Sequence, residues 1–424
     1  MTTHNVSTAA HLTEAIADAV SGDVISMAPG NYGAVSIVGR AFTDYVTLIS
    51  ADPLTPAVVT SIRIDNSAFV MVACLHVDNP SNGPRGGKLV YVFESNHVKI
   101  RDCEVNAKVD DNIFEGNNGI SLKNSSDVEV SGNDIHDVHN GILIFGGSGF
   151  DIRENLIDHI STDCFKAGGV RNILLENNTG GGHIFPSSTA HSDFIQFQGS
   201  AHDVTIRGNV YLAQTTERAQ GIFMNVPPYS NVLIEQNIIY SGKVNAIKVK
   251  DGTGITCRQN TVLVTPGIGH KAAAIILPSG ATNSRNISAN VKGGISGSNV
   301  TAQWDDVNDI HHYTTLYQNA MAGLGITLAD LRPVQGSLAE TKGAAERIAE
   351  LLDDTVPTPD PDPDPTPDPD PDPVPDPDPV PDPTPDPALA ELQARVMVLE
   401  AEVAEINAKL TAQAAALIGD ENGV

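Results

Sequence analysis

Val204-Thr-Ile-Arg-Gly-Asn209 is one of six near-copies of a short pattern in which an apolar residue opens an alternating run that ends on Asn five positions later. The others are Val128-Glu-Val-Ser-Gly-Asn133, Phe150-Asp-Ile-Arg-Glu-Asn155, Ile173-Leu-Leu-Glu-Asn-Asn178, Val232-Leu-Ile-Glu-Gln-Asn237 and Ile255-Thr-Cys-Arg-Gln-Asn260. A weaker copy ends at Asn290, and Val98-Lys-Ile-Arg-Asp-Cys103 places Cys where Asn is expected. From Cys103 onward the copies are 30, 22, 23, 31, 28, 23 and 30 residues apart, which fits a coil of about 22 residues with insertions of variable length. Alternation puts successive side chains on opposite faces, and a single coil cannot close its own apolar face, so coils must stack. The Asn is expected at the turn between strands, where its side chain tolerates left-handed backbone and bonds to the Asn of the next coil, forming a ladder. Cys103 should interrupt that ladder near its N-terminal end.

The pattern resembles the pectate-lyase-like superfamily of right-handed parallel β-helices over roughly residues 10–340, which implies an all-β solenoid and says little about activity. Leu12-Thr-Glu-Ala-Ile-Ala-Asp-Ala-Val20, then Ser21-Gly-Asp-Val-Ile-Ser26 and Pro29-Gly-Asn-Tyr32, looks like the capping helix and first strand of alginate-lyase and chondroitinase-B-like chains. Such a cap protects the open end of the core. Asp330-Leu-Arg-Pro-Val-Gln-Gly-Ser337, followed by Ala344 to Leu352, resembles the way these domains close. The expected organisation is a cap and first strand over 1–30, the β-helix over 31–300, a C-terminal cap over 301–356, a linker over 357–387 and a coiled coil over 388–424.

The linker has proline at every second position from Pro357 to Pro387, with ten Asp between them. Fixed φ and charge repulsion predict either a disordered segment or an extended polyproline-II rod of up to about 95 Å. After it, Leu389, Leu392, Val396, Leu399, Val403, Ile406, Leu410, Gln413 and Leu417 alternate spacings of 3 and 4, as heptad a and d positions do. Arg395-Val-Met-Val-Leu-Glu400 resembles the trimer motif of parallel coiled coils, and implies a homotrimer through 388–417; a dimer is the other reading.

Composition narrows the function. The chain of 424 residues is 41% hydrophobic, 18% charged and 5% aromatic, a mixture that suits short strands and tight turns. A net charge of -27 argues against nucleic acid as a partner, although the ten linker aspartates account for part of it. No run of about 20 apolar residues predicts a membrane span, and residues 1–26 lack the pattern of a Sec signal peptide. Cys74, Cys103, Cys164 and Cys257 lack paired C-x-x-C spacing and read as small core residues, so no metal site is expected from them.

One face carries candidate chemistry. Aligning the turns Asn118-Gly-Ile-Ser, Asn140-Gly-Ile-Leu, Asp163-Cys-Phe-Lys166, Asp193-Phe-Ile-Gln196, Gln220-Gly-Ile-Phe223 and Asn245-Ala-Ile-Lys248 puts Asp163 and Asp193 in one column of adjacent coils. Parallel strands are about 4.8 Å apart, so the two carboxylates should lie side by side. Asp163, Asp193, His191 and Lys166 are the candidate catalytic residues, and Gln196, Lys248, Lys250 and His183 the candidate substrate contacts. Paired carboxylates can share a proton, bind Ca²⁺ or act as acid and base on a glycoside; no cofactor is required, with Ca²⁺ the one candidate ion. The same column also fits carboxylates that cap turns, as Asn118, Asn140 and Asn245 would. Thr162-Asp-Cys-Phe165 partly resembles the Asp-Asp-Cys-Ile strand start of polygalacturonase-type glycoside hydrolases, and Lys248-Val-Lys250 their Arg-Ile-Lys. Thr162 replaces one acid, however, and no Gly-His-Gly follows. In a lyase, Lys166 or Lys248 would serve as base.

Solenoid, rod and trimeric stalk together resemble phage tailspikes and fibres. The implied protein is a virion-associated spike, fibre or decoration protein that binds, and in some cases processes, a surface glycan, assembled in the cytoplasm without a Sec signal. The alternative is an extracellular polysaccharide lyase or glycoside hydrolase acting on an acidic polysaccharide.

Overall fold

Within each repeat, alternate side chains turn inward. In Tyr229–Glu235 the side chains of Val232 and Ile234 are buried while Leu233 is only half-buried, and Val204 with Ile206, Ile173 with Leu175 and Ile255 with Cys257 repeat this above and below. These residues stack into one continuous apolar core. The structure is a computed structural model that describes residues 1–79, 86–108, 116–184, 192–213, 219–243, 245–266 and 273–352. The chain divides into two units, Met1–Pro357 and Thr358–Val424, and the linker and coiled coil expected from the sequence lie outside the described residues.

The described chain is a right-handed parallel β-helix with three faces. One coil runs through Gln220–Val226 on the first face, Tyr229–Glu235 on the second and Ile238–Ser241 on the third. The next coil repeats this with Asn245–Val249, Thr253–Arg258 and Thr261–Val264, each strand paired in parallel with its counterpart. In Asn117–Ser131, Ile142–Arg153 and Phe165–Glu176 the chain passes from first to second face without a break. First and second faces thus join in a 21-stranded sheet, and the third is an 11-stranded sheet.

The Asn ladder stands at the corner between second and third faces. Asn133, Asn155, Asn178, Asn209, Asn237, Asn260 and Asn286 are all at most 1% exposed. Each side-chain amide donates to the Oδ1 of the Asn one coil on, for example Asn155 to Asn178 at 2.9 Å, and to a main-chain carbonyl of the coil before, as Asn155 does to Val130 at 2.9 Å. Each Oδ1 also receives the backbone N–H of the Asn one coil back, as Asn237 receives that of Asn209 at 3.0 Å. Cys103 ends the ladder as expected: its N–H donates to Asn133 Oδ1 at 3.0 Å, and its thiol has no amide to pass the chain of bonds on.

Two details differ from the expectation. The left-handed residue is the one before each Asn (Gly132, Glu154, Asn177, Gly208, Gln236, Gln259, Arg285), so the ladder Asn is selected for its amide and not for its backbone. The ladder also continues through Asn286 and Asn299, not Asn290: the Asn260 amide donates to Asn286 Oδ1 and that of Asn286 to Asn299 Oδ1, both at 3.0 Å.

At the N-terminal end, helix Ala9–Asp18 starts at Thr8, whose hydroxyl accepts the His11 N–H at 3.2 Å, and buries Leu12 and Ala15 over the open core. Strand Thr3–Val6, ahead of the helix, pairs with Val24–Met27. The C-terminal segment folds back along the outside of the third face instead of only closing the end. Its Tyr313, Leu316, Tyr317 and Ile348 cover Val210, Ile238, Tyr240 and Leu263, which explains why those outward residues are apolar. Buried hydrogen bonds fix it: Tyr240 Oη to the Ala320 carbonyl at 3.0 Å, the Val264 N–H to Tyr313 Oη at 2.9 Å, and Arg347 Nε to the Gly208 carbonyl at 3.0 Å. Cys103, Cys164 and Cys257 are buried and Cys74 partly so, all as free thiols. Among the described residues no helix is long and apolar enough to cross a membrane.

Candidate functional site

A second polar ladder opens the first-face strands. Asn140 Nδ2 donates to Asn118 Oδ1 at 2.8 Å, the Asp163 N–H to Asn140 Oδ1 at 3.3 Å, and the Asp193 N–H to Asp163 Oδ1 at 3.0 Å. Gln220 Nε2 then donates to Asp193 Oδ1 at 2.8 Å and Asn245 Nδ2 to Gln220 Oε1 at 2.6 Å. Residues at one position of consecutive coils therefore form a single chain of hydrogen bonds, through side-chain amides and the Asp163 and Asp193 main-chain N–H groups, with two acids at its centre. Asp163 and Asp193 are both 0% exposed.

Three residues after each acid, the strand alternation brings a long polar side chain back over it. Lys166 Nζ sits 3.0 Å from Asp163 Oδ2, and Gln196 Nε2 donates to Asp193 Oδ2 at 2.7 Å. Burial, followed by the charge of Asp163, pushes the Asp193 carboxyl well above the usual carboxylate range, against the two amides that favour its ionised form. All four oxygens of the pair are thus engaged, and Ca²⁺ would have to displace these partners. Among the described residues no group of three or more His, Cys, Asp or Glu is arranged to hold a metal.

Over this pair lies an open groove of about 430 Å³, lined by Thr162, Lys166, Gln196, Gln198, Phe223 and Asn225 among others. Its edge comes from a register shift between Phe197 and Gln198 opposite Met224 and Val226. Tyr229 holds that irregularity, accepting the Val226 N–H at 2.8 Å and donating to the Phe197 carbonyl at 3.1 Å, and burial pushes its phenol up to about 12. Gly168 leaves space beside it: a Cβ there would stand 2.3 Å from the Gln198 carbonyl oxygen.

Asp163, Asp193, Lys166 and Gln196 thus come together. Lys248 lies in the same outward column, one coil past Phe223, with Nζ 5.1 Å from the Phe223 ring centre. Lys250 is exposed just beyond Asn245–Val249 and is not part of the groove lining. His183 is 2% exposed and turned into the solenoid, its Nδ1 3.1 Å from Tyr211 Oη. Burial lowers its pKa to about 4, so it is a neutral interior residue and does not reach the groove. His191 lies outside the described residues. Phe223, Gln198 and Asn225 were not among the candidates from sequence. Phe223 was findable, since it stands three residues after Gln220 as Lys166 stands after Asp163, and Gln198 and Asn225 are the next outward positions along their strands.

Stacked parallel coils, an amide ladder and helical capping define the molecule as a right-handed parallel β-helix. The chain belongs to the right-handed β-helix family, whose model, "Right handed beta helix region", matches residues 60–185 and 89–286. Similar solved structures include an alginate lyase from Paenibacillus sp. str. FPU-7, 14% identical over 70% of this chain and 97% of that one, with a TM-score of 0.35. Pectate lyase Pel9A is 13% identical over 80% of this chain and 90% of that one, with a TM-score of 0.41. A PL6 family polysaccharide lyase from Pseudopedobacter saltans is 14% identical over 80% and 99%, with a TM-score of 0.36. No curated protein matches the chain.

Proposed function

We propose that this chain is a polysaccharide-binding protein of spike or fibre type, which holds a surface glycan in the first-face groove and works as a trimer on a virion or other extracellular particle. The observation that carries the binding reading is the groove itself. An aromatic face, Phe223, shares one open surface with a cation, Lys166, and three side-chain amides, Gln196, Gln198 and Asn225. Sugars offer an apolar ring face and a rim of hydroxyl or carboxylate groups, and this combination matches both. Lys248, in the same column and meeting no carboxylate among the described residues, favours a polymer bearing carboxylates, whereas the charge of Lys166 is already paired with Asp163. The spike reading is supported by the whole chain: a proline-aspartate rod and a heptad segment would gather three groove-bearing solenoids, so that weak individual sites gain by avidity.

A lyase or glycoside hydrolase is the second reading, favoured by the Asp163–Lys166 pair at the groove floor. Binding is preferred because both oxygens of Asp193 are occupied by glutamine amides under full burial, where no sugar oxygen reaches them. Full-length protein would be passed over immobilised acidic and neutral polysaccharides, and the same polymers assayed for unsaturated products and new reducing ends. The expected result is retention on an acidic polymer, weakened by Phe223→Ala and Gln198→Ala, without product. Product formation abolished by Asp163→Ala would make the protein an enzyme first. Absence of retention on every polymer would overturn the reading.

A further inference from the structure

The column that carries Lys166, Gln196 and Phe223 continues towards the N-terminus through Leu143 and Ser121 to Tyr91 and Arg63, by register from coil to coil. The next outward column holds Phe93, Lys123, Phe145 and Gly168. Tyr91 and Phe93, two residues apart on Gly87–Phe93, are stacked with nearly parallel planes, ring centres 5.7 Å apart and an interplanar angle of 18°. Three cations surround them. Lys88 Nζ is 4.5 Å and Arg63 Cζ 5.9 Å from the Tyr91 ring centre, and Lys123 Nζ is 5.8 Å from that of Phe93. Arg63 is paired with Asp65, but among the described residues Lys88 and Lys123 meet no carboxylate, and both are exposed.

We propose that Tyr91 and Phe93, with Lys88, Lys123 and Arg63, form a second subsite for an anionic sugar unit of the polymer held in the groove, so that one chain runs lengthwise along the first face. This rests on the reading that the groove binds polysaccharide. Five strand spacings separate Tyr91 from Phe223, about 24 Å, and the half-buried Leu143 and Phe145 give the strip an apolar floor between them. A ring face of the stacked pair takes the flat face of a sugar, and Lys88 and Lys123, which meet no carboxylate among the described residues, take its carboxylate. Because the second contact is intramolecular once the first is made, it acts on long chains only.

The test compares full-length wild type, the Tyr91→Ala/Phe93→Ala double variant and Phe223→Ala by titration with long alginate or polygalacturonate and with short oligomers of the same sugar. The double variant should lose at least about tenfold in affinity for the long polymer and keep its affinity for short oligomers, while Phe223→Ala loses both. A Lys88→Gln/Lys123→Gln variant, altered only at exposed positions, should weaken long-polymer binding in the same way and flatten its salt dependence, and serves if the aromatic variant does not fold. Long-polymer affinity unchanged in both variants, with Phe223→Ala still impaired, would overturn the second subsite and leave the groove standing. Failure of wild type to bind either polymer would overturn both.

Discussion

Replacing Asn209 by Ala tests the ladder that orders the solenoid. Asn209 is 0% exposed, and its side chain donates to the Leu175 carbonyl at 2.8 Å, the Arg207 carbonyl at 3.1 Å and Asn237 Oδ1 at 3.0 Å. Its Oδ1 accepts the Asn178 N–H and the Asn178 side-chain amide, both at 3.0 Å. Alanine keeps only the main-chain bonds, the N–H donated to Asn237 Oδ1 at 3.0 Å and the carbonyl that accepts the Ile238 N–H at 2.9 Å. The Asn178 N–H loses its partner in a dry interior, at about 1–3 kcal/mol, while the Leu175 carbonyl keeps its place in the sheet ladder, and the missing amide leaves a small void. The expected loss is about 2–4 kcal/mol. Asn290→Ala, at a repeat position that is not in the ladder, should cost less than about 1 kcal/mol, because the Asn290 side chain is only half-buried. Guanidinium unfolding gives the two costs, and hydrogen exchange at the Asn178 amide localises the effect, since solenoids open coil by coil. Equal costs for the two variants, or an Asn178 amide as protected in Asn209→Ala as in wild type, would refute the reasoning.

Three further outcomes are expected. Gly168→Ala forces a Cβ to within 2.3 Å of the Gln198 carbonyl, so it should destabilise by about 1–3 kcal/mol and weaken glycan retention, measured by thermal melting and on immobilised polysaccharide. The Asp193 carboxyl titrates well above its ordinary 3.8 in the folded chain, so the stability it contributes is complete below that value and is lost as pH rises through the folded pKa. Asp193→Asn should remove this slope, and unfolding midpoints that run parallel to wild type across pH would count against it. Leu399→Asp, at a heptad core position, should convert a mass of three chains to one in light scattering, whereas an unchanged mass would place the oligomer contact elsewhere.

The fold was legible because the ladder Asn recurs at one place in every coil and cannot be exchanged without orphaning buried groups. The left-handed corner was misplaced by one residue because Gly, Glu, Asn, Gln and Arg all occupy it and leave no common letter. The last ladder steps were missed since the coils shorten there, with Asn286 and Asn299 only 13 residues apart. Third-face strands such as Val300–Thr301 are too short to show alternation. The fold-back of the C-terminal segment was hidden for another reason: it depends on contacts such as Arg347 with Gly208, 139 residues apart, that no local pattern encodes. At the site, the column from Asn118 to Asn245 could be aligned from its turns, which brought out the acid pair and Lys166. What the column alone could not convey was accessibility. The groove opens over Lys166, Gln198 and Phe223 while the acids lie beneath, and that order follows from burial.

The most direct test of the central claim is lysine footprinting of the full-length protein with and without the retained polysaccharide. Lys166 and Lys248, on the groove column, should be protected from acetylation, while Lys99 on the second face and Lys342 in the C-terminal segment should react as before. Protection of Lys99 or Lys342 with Lys166 and Lys248 unchanged would contradict it, and would move the binding surface off the first face.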